Sequence, residues 1–429
     1  MTPPRVLVLA EAANPEWVSV PLVGWSLATA LRAVADVHIV TQVRNRDAFV
    51  RAGMVEGRDF TAIDSEALAR PMWRLGEWLR MGQGKGWTTL QALAALSYPW
   101  FEHLVWRRFG ADIRAGRYDI VHRVTPLSPT ISSPLAGRCA GAGVPFLLGP
   151  LNGGVPWPKG FEAERRRERE FLSYLRGAYK ALPGRTATLR HARAIFAGSR
   201  HTLGDMPGWA QAKAVYLPEN AVDPARFGGM AAPAPDGPLR AGFVGRLVPY
   251  KGPDMLIAAA APMLRDGRMV LDIVGDGPMM GDLRVQAEGL GVAGAVTFHG
   301  WLEHGRVQDV LGACHLFAFP SIREFGGGVV LEAMALGVPP LIVDYAGPGE
   351  LVAEGRGFKV ALGSRADIVA GFAAALDRLA QDRAALVPAG QAGRAWVMEH
   401  ATWAAKARQV RAVYDAVLTG APMPEVFPS

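Results

Sequence analysis

Short apolar runs alternate with stretches of helical periodicity along nearly all of this chain, which restricts it to strand-helix units that build parallel sheets. Residues 6–10, 37–40, 120–122, 146–148 and 194–197 read as strands of one sheet, and residues 239–244, 270–274, 295–298, 316–319 and 340–343 as strands of another. Between the sets lies Leu217-Pro-Glu-Asn-Ala-Val-Asp-Pro224, then a Gly, Pro and Ala stretch from 228 to 238. That turn-forming composition puts a hinge near residues 200–238. With 429 residues the chain is too long for one ordinary core and suits two α/β domains of about 200 residues each. The expected division is 1–217 for the first domain, 218–400 for the second, 401–419 for a last helix and 420–429 for a Pro-rich tail. Trp403, Ala407, Val410, Val413, Tyr414, Val417 and Leu418 recur at helical spacing and mark that helix.

Composition narrows the class. Half the residues are apolar and a fifth are charged, as in a well-packed globular protein. Cys139 and Cys314 lie far apart and form neither a disulfide framework nor a metal-ligand cluster, so a reducing compartment fits. The start of the chain lacks the basic and long apolar regions of a signal peptide. No run of 18 or more apolar residues suggests a spanning helix, and a cytoplasmic location is expected. A net charge of +7 suits nucleic acid, anionic lipid or phosphate-bearing substrates alike. Zinc-finger spacing, an RNA-recognition aromatic motif and a basic tail are all missing, so nucleic acid is not an expected partner.

Three loops of the second half carry chemistry. After the strand at 316–319 comes Glu324-Phe325-Gly326-Gly327-Gly328, opening a helix that carries Glu332. Glycines at a helix start leave the amides accessible to phosphate, favoured by the helix dipole. A carboxylate one turn further in can accept hydrogen bonds from a vicinal diol such as a ribose. The same pattern also serves packing and dipole complementarity alone. The second loop, Gly245-Arg246 to Lys251-Gly252, directly follows a strand and presents a planar fork and a point charge suited to a diphosphate. The third is Gly275-Asp-Gly277-Pro278, where Met280 replaces the third glycine of a dinucleotide fingerprint. A tight strand-to-helix turn on the same cleft is the expectation there, rather than a nicotinamide cofactor site. All three leave the C-terminal ends of strands, the rim where open α/β sheets bind ligands.

In this order and spacing, the region from about residue 242 to 352 resembles the donor-binding domain of glycosyltransferase family 4, whose hallmark is two glutamates with seven residues between, as at Glu324 and Glu332. The resemblance implies a GT-B fold: two Rossmann-like domains with a donor and acceptor cleft and a terminal helix crossing back to the first. It implies a retaining hexosyltransferase that takes a nucleotide-diphosphate sugar as donor substrate, with no other cofactor and no required metal. By the same resemblance Arg246 and Lys251 would hold the diphosphate and Glu332 the ribose. Glu324 and the amides after Phe325 would meet sugar and phosphate, with Gly300 and Trp301 near the base. In the first half Gly24 would let the diphosphate approach the backbone, and His122, ending a strand, would face the donor sugar as a catalytic residue. Asn152, Gly153 and Gly154 follow another strand and are expected on the acceptor side.

The acceptor expected is a glycan or a lipid-linked glycan, as in cell-surface polysaccharide or glycolipid synthesis. Trp73, Trp78, Trp87, Trp100 and Trp106 interleave with Arg74, Arg80, Lys85, Arg107 and Arg108. Across residues 70–110 that pattern raises peripheral contact with an anionic membrane on the inner face of the cell membrane, beside the alternative that these indoles are buried between helices. A GT-B epimerase, a phosphorylase and a catalytically silent scaffold in polysaccharide assembly also stay open, because fold alone does not separate them.

Overall fold

The structure, a computed structural model, describes residues 2–67, 70–71, 87–167, 183–234 and 236–428. It divides into two compact units: Met1–Gly154, Glu168–Glu219 and Trp403–Pro428 in the first, Val155–Arg167, Asn220–Thr402 and Ser429 in the second.

The first unit is built on a seven-stranded parallel sheet. Its strands are β1 (Arg5–Ala10), β2 (Asp36–Gln42), β3 (Phe60–Ile63), β4 (Ile120–Thr125), β5 (Phe146–Leu151), β6 (Ala194–Ala197) and β7 (Ala214–Tyr216), in the order β3-β2-β1-β4-β5-β6-β7. Strands covered on both faces need apolar residues at successive positions, and β4, β5 and β6 are buried throughout. One face packs on Leu27 and Leu31 of the helix Val20–Leu31, and on Val410, Val413, Tyr414 and Val417 of the helix Trp403–Thr419. The terminal helix thus shares a core with the start of the chain. Phe101, Val105, Phe109 and Ile113, four residues apart along the helix Trp87–Arg114, cover the other face.

The second unit holds six parallel strands: β8 (Leu239–Val244), β9 (Met269–Val274), β10 (Val296–Gly300), β11 (Leu316–Phe319), β12 (Pro340–Val343) and β13 (Phe358–Val360). Their order is β10-β9-β8-β11-β12-β13. Ten strands fall where the apolar runs place them. The apolar runs do not mark β3, β7 and β13, each at a sheet edge and only three or four residues long. Edge strands bury less, so their apolar signal is weak.

Candidate functional site

Strand order in the second sheet reverses between β8 and β11, so the chain leaving β8 turns one way and the chain leaving β11 the other. The crevice at such a switch point lies between those two loops. After β8 the chain forms a tight turn, Pro249–Lys251, ending at Gly252 in the left-handed region with φ 70°. A Cβ on Gly252 would lie 2.7 Å from the Pro320 carbonyl oxygen, so glycine lets the loop after β8 close on the loop after β11. The Tyr250 carbonyl accepts from the Ile322 amide at 2.9 Å and from Ser321 Oγ at 3.2 Å. Across this closure Lys251 Nζ donates to Glu324 Oε2 at 2.8 Å, the two side chains 17% and 19% exposed. Burial draws the Lys251 pKa down, but Glu324, with smaller help from Tyr250 and Glu332, more than reverses it. The ammonium therefore keeps its charge in a half-enclosed place.

The loop after β11 runs into the helix Gly328–Ala335, whose N-cap Gly327 is left-handed at φ 56° and which no side chain caps. Its first turn keeps the positive end of the helix dipole. Gly347 seats this loop: its amide donates to the Glu324 carbonyl at 3.1 Å, and a Cβ there would lie 2.0 Å from the Phe325 carbonyl oxygen. Gly326 and Gly327 are buried, while Phe325 and Gly328 are half-exposed. One turn into the helix, Glu332 is half-buried, and burial pushes its carboxyl up to about 7 against the opposing pull of Arg226 and Lys251.

The other two motifs meet the same rim. A Cβ on Gly275, at φ 132°, would sit 2.0 Å from the Gly245 carbonyl oxygen, and one on Gly277 would sit 2.5 Å from that of Leu247. These glycines let the loop after β9 lie directly on the loop carrying exposed Arg246. The Gly275 amide also donates to the Gly300 carbonyl at 2.8 Å, tying in the end of β10. Trp301 next to it is 69% exposed. Gly245, Arg246, Lys251, Gly275, Gly277, Gly300, Trp301, Glu324, Phe325, Gly326, Gly327, Gly328 and Glu332 thus lie on adjoining loops of one unit. Two neighbours carry no motif: Arg226, whose charge favours the ionised Glu332, and Asn220, whose amide nitrogen would lie 3.3 Å from a Cβ on Gly328. Both come from the stretch read only as hinge, where no motif marks them.

In the first unit the residues expected at the site have partners within the protein. His122 is fully buried, with Nδ1 2.7 Å from the Tyr414 hydroxyl and Nε2 2.8 Å from the Gly149 carbonyl oxygen. The carbonyl can only accept, so Nε2 carries the proton and Nδ1 accepts from Tyr414. Burial lowers its pKa to about 4. This neutral ring, engaged on both sides, ties β4 to the terminal helix. Gly24 lies within the helix Val20–Leu31, where a Cβ would be 2.2 Å from the Ala12 carbonyl oxygen. The space is filled by protein, so a glycine is needed there for the helix to approach Ala12. In the expected acceptor loop, the Gly153 amide donates to Thr202 Oγ1 at 3.0 Å, the Gly154 amide to Asn152 Oδ1 at 2.8 Å, and Asn152 Nδ2 to Glu219 Oε1 at 2.9 Å. Both backbone amides thus have acceptors within the protein.

Of the Trp and Arg stretch, Trp73, Arg74, Trp78, Arg80 and Lys85 lie outside the described residues, as does the side chain of Trp87. Trp100 and Trp106 are half-buried, and the guanidinium carbons of Arg114 and Arg138 stand 5.1 and 5.6 Å from the Trp106 ring centre. Arg107 and Arg108 are exposed. Among the described residues no helix is long and apolar enough to cross a membrane.

Known proteins resemble this chain at two levels. Residues 231–394, within the second unit, match the family model described as glycosyl transferases group 1. D-inositol 3-phosphate glycosyltransferase of Gordonia bronchialis is 41% identical over 124 residues, 27% of each chain. GDP-mannose-dependent alpha-(1-6)-phosphatidylinositol monomannoside mannosyltransferase of Mycobacterium tuberculosis is 38% identical over 172 residues, 37% of this chain and 42% of that protein. The chain thus spans between about a quarter and two fifths of the length of these curated relatives. Over the full length, the crystal structure of Anabaena HepE in complex with UDP and glucose aligns with a TM-score of 0.58 at 17% identity, covering 95% of this chain and 98% of that one. That likeness, with the two parallel α/β sheets, identifies the fold as GT-B.

Proposed function

We propose that this protein is a retaining glycosyltransferase of family 4 type, moving a hexose from a nucleotide-diphosphate sugar to a glycan or lipid-linked acceptor. The observation that carries the reading is the Lys251–Glu324 ion pair at the mouth of an uncapped, glycine-opened helix, with Glu332 one turn inside. A diphosphate at that mouth meets the Gly326 to Gly328 backbone, the charged Lys251 and the exposed Arg246. Glu332 accepts hydrogen bonds from the ribose hydroxyls, and Arg226 steadies its charge.

Breaking the bond between the anomeric carbon and the phosphate oxygen leaves positive charge on the sugar and negative charge on the diphosphate. Lys251, Arg246 and the helix dipole stabilise the second of these, in a half-enclosed place where charges act more strongly than in water. The acceptor hydroxyl forms its new bond on the face the diphosphate leaves and gives its proton to the departing phosphate oxygen, so configuration is retained without a carboxylate nucleophile. Glu324, relieved of Lys251 by the diphosphate, takes hydroxyls of the donor sugar.

Matched relatives named for inositol-bearing acceptors favour a polyol or lipid-linked acceptor. A lipid-borne acceptor in turn favours peripheral contact with the inner face of the cell membrane, aided by the exposed Arg107 and Arg108. Vesicles of anionic lipid should bring the protein down on sedimentation, and no binding contradicts that contact. The donor reading is tested by a thermal-shift screen across UDP-, GDP- and ADP-sugars, because a ligand specific to the folded state raises the melting temperature. One class should shift it, and transfer to a polyol or lipid-linked glycan should follow with the same class. No shift with any class overturns the reading, and conversion of the sugar nucleotide without an acceptor assigns the protein to the epimerases.

A further inference from the structure

Residues 155–167 follow β5 of the first sheet in sequence but belong to the second unit. Val155 and Phe161 are buried anchors, and between them Trp157 reaches the two loops that carry Lys251 and Glu324. Its ring meets Tyr250 edge-on, centres 6.1 Å apart at 89°. The guanidinium carbon of Arg323 stands 5.1 Å from its ring centre. Tyr250 immediately precedes Lys251, and Arg323 immediately precedes Glu324. Backbone groups of the same strap hold the rim as well: Arg323 Nε donates to the Val155 carbonyl at 3.4 Å and the Tyr345 hydroxyl to the Pro156 carbonyl at 2.9 Å.

We propose that Trp157 is a positioning residue of the donor site, wedged between Tyr250 and Arg323 so that the two loops present Lys251 and Glu324 in register. The inference rests on the glycosyltransferase reading for its catalytic consequence, but not for its structural one. The aromatic edge contact with Tyr250 and the cation-π contact with Arg323 are strong enough to bias two loops but too weak to decide whether the unit folds. A displacement of about 1 Å at charged groups facing a leaving diphosphate lowers the rate about a hundredfold. The ribose end depends on the helix carrying Glu332, which the strap does not touch through these contacts. Loss of Trp157 should therefore slow transfer while leaving nucleotide binding nearly intact.

The test compares Trp157→Ala and Trp157→Phe with the native full chain in two measurements. In transfer assays, Trp157→Ala should lower kcat about ten- to hundredfold with the dissociation constant for the nucleoside diphosphate changed less than about threefold, and Trp157→Phe should recover kcat to within about threefold. In mass-spectrometric labelling of lysine amines with a small acylating reagent, Trp157→Ala should speed modification of Lys251 at least about fivefold and Trp157→Phe should not. Equal loss in the two variants, or nucleotide affinity falling in step with kcat, overturns the proposal. So does an unchanged Lys251 labelling rate in folded Trp157→Ala protein. If the native protein neither binds nor transfers any sugar nucleotide, the functional reading fails by itself, and the labelling rates still decide the positioning role.

Discussion

Replacing Glu332 by glutamine separates what this carboxylate does for binding from what it does to stability. Its ordinary pKa of 4.5 rises to about 7 in the fold because burial disfavours the charge more than Arg226 and Lys251 favour it. Between those values the folded protein holds a proton that the unfolded chain has released, so stability falls as the pH rises across that window. At pH 8 the ionised group destabilises the ligand-free fold by at most about 3 kcal/mol, less as Arg226 and solvent adjust. Glu332→Gln removes the charge and should be about 1–3 kcal/mol more stable than the native protein at pH 8, with the gain gone by pH 4. For a unit of this size that is about 2–4 °C in melting temperature per kcal/mol. The amide has one acceptor oxygen where the carboxylate has two, so affinity for the nucleoside diphosphate should fall about tenfold. Thermal melts from pH 4 to 8.5, with and without the diphosphate, read both effects. A variant less stable than the native protein at pH 8, or a gain that persists to pH 4, refutes the burial argument.

Lys251→Met should lower single-turnover transfer about 100- to 1,000-fold and leave the Glu324 carboxylate without its ammonium, costing about 1–3 kcal/mol. Adding Glu324→Gln should recover that stability in melts and none of the rate. Tyr414→Phe removes the hydroxyl that donates to His122 Nδ1 and should cost about 1–3 kcal/mol while kcat stays within about twofold, because His122 is fully buried. With its pKa lowered from 6.5 to about 4, the neutral His122 contributes stability that is complete above pH 6.5 and lost as the pH falls toward 4. In acid titrations followed by circular dichroism, His122→Asn should flatten that part of the loss; an unchanged acid profile contradicts the assignment.

The centres of both sheets are legible because parallel strands covered on both faces must be apolar at successive positions, as residues 241–244 and Leu316–Phe319 are. The edge strands Phe60–Ile63, Ala214–Tyr216 and Phe358–Val360 are too short and too exposed to leave that mark. At the site, the local devices are readable: glycines at a helix start, a carboxylate one turn on, a cation on a glycine-flanked loop. What joins them is not local. Lys251 meets Glu324 across 73 positions, and only the reversal of strand order between β8 and β11 brings them together. Trp157 joins Tyr250 and Arg323, 93 and 166 positions further along the chain, with no periodicity to announce it. The surroundings of His122 are hidden for the same reason: a histidine ending an apolar strand looks alike whether it faces a ligand or the core, and its partner Tyr414 lies 292 positions away.

In the proposed function a nucleoside diphosphate sits on the loops after β8 and β11 of the second unit. Hydrogen exchange by mass spectrometry, with the full chain saturated by the diphosphate that raises its melting temperature, tests this most directly. Protection should concentrate in peptides covering residues 245–252 and 324–335, with the Gly326 to Gly328 amides slowed at least about tenfold. Protection confined to other loops, or none at Gly326 to Gly328 under saturating ligand, contradicts the account.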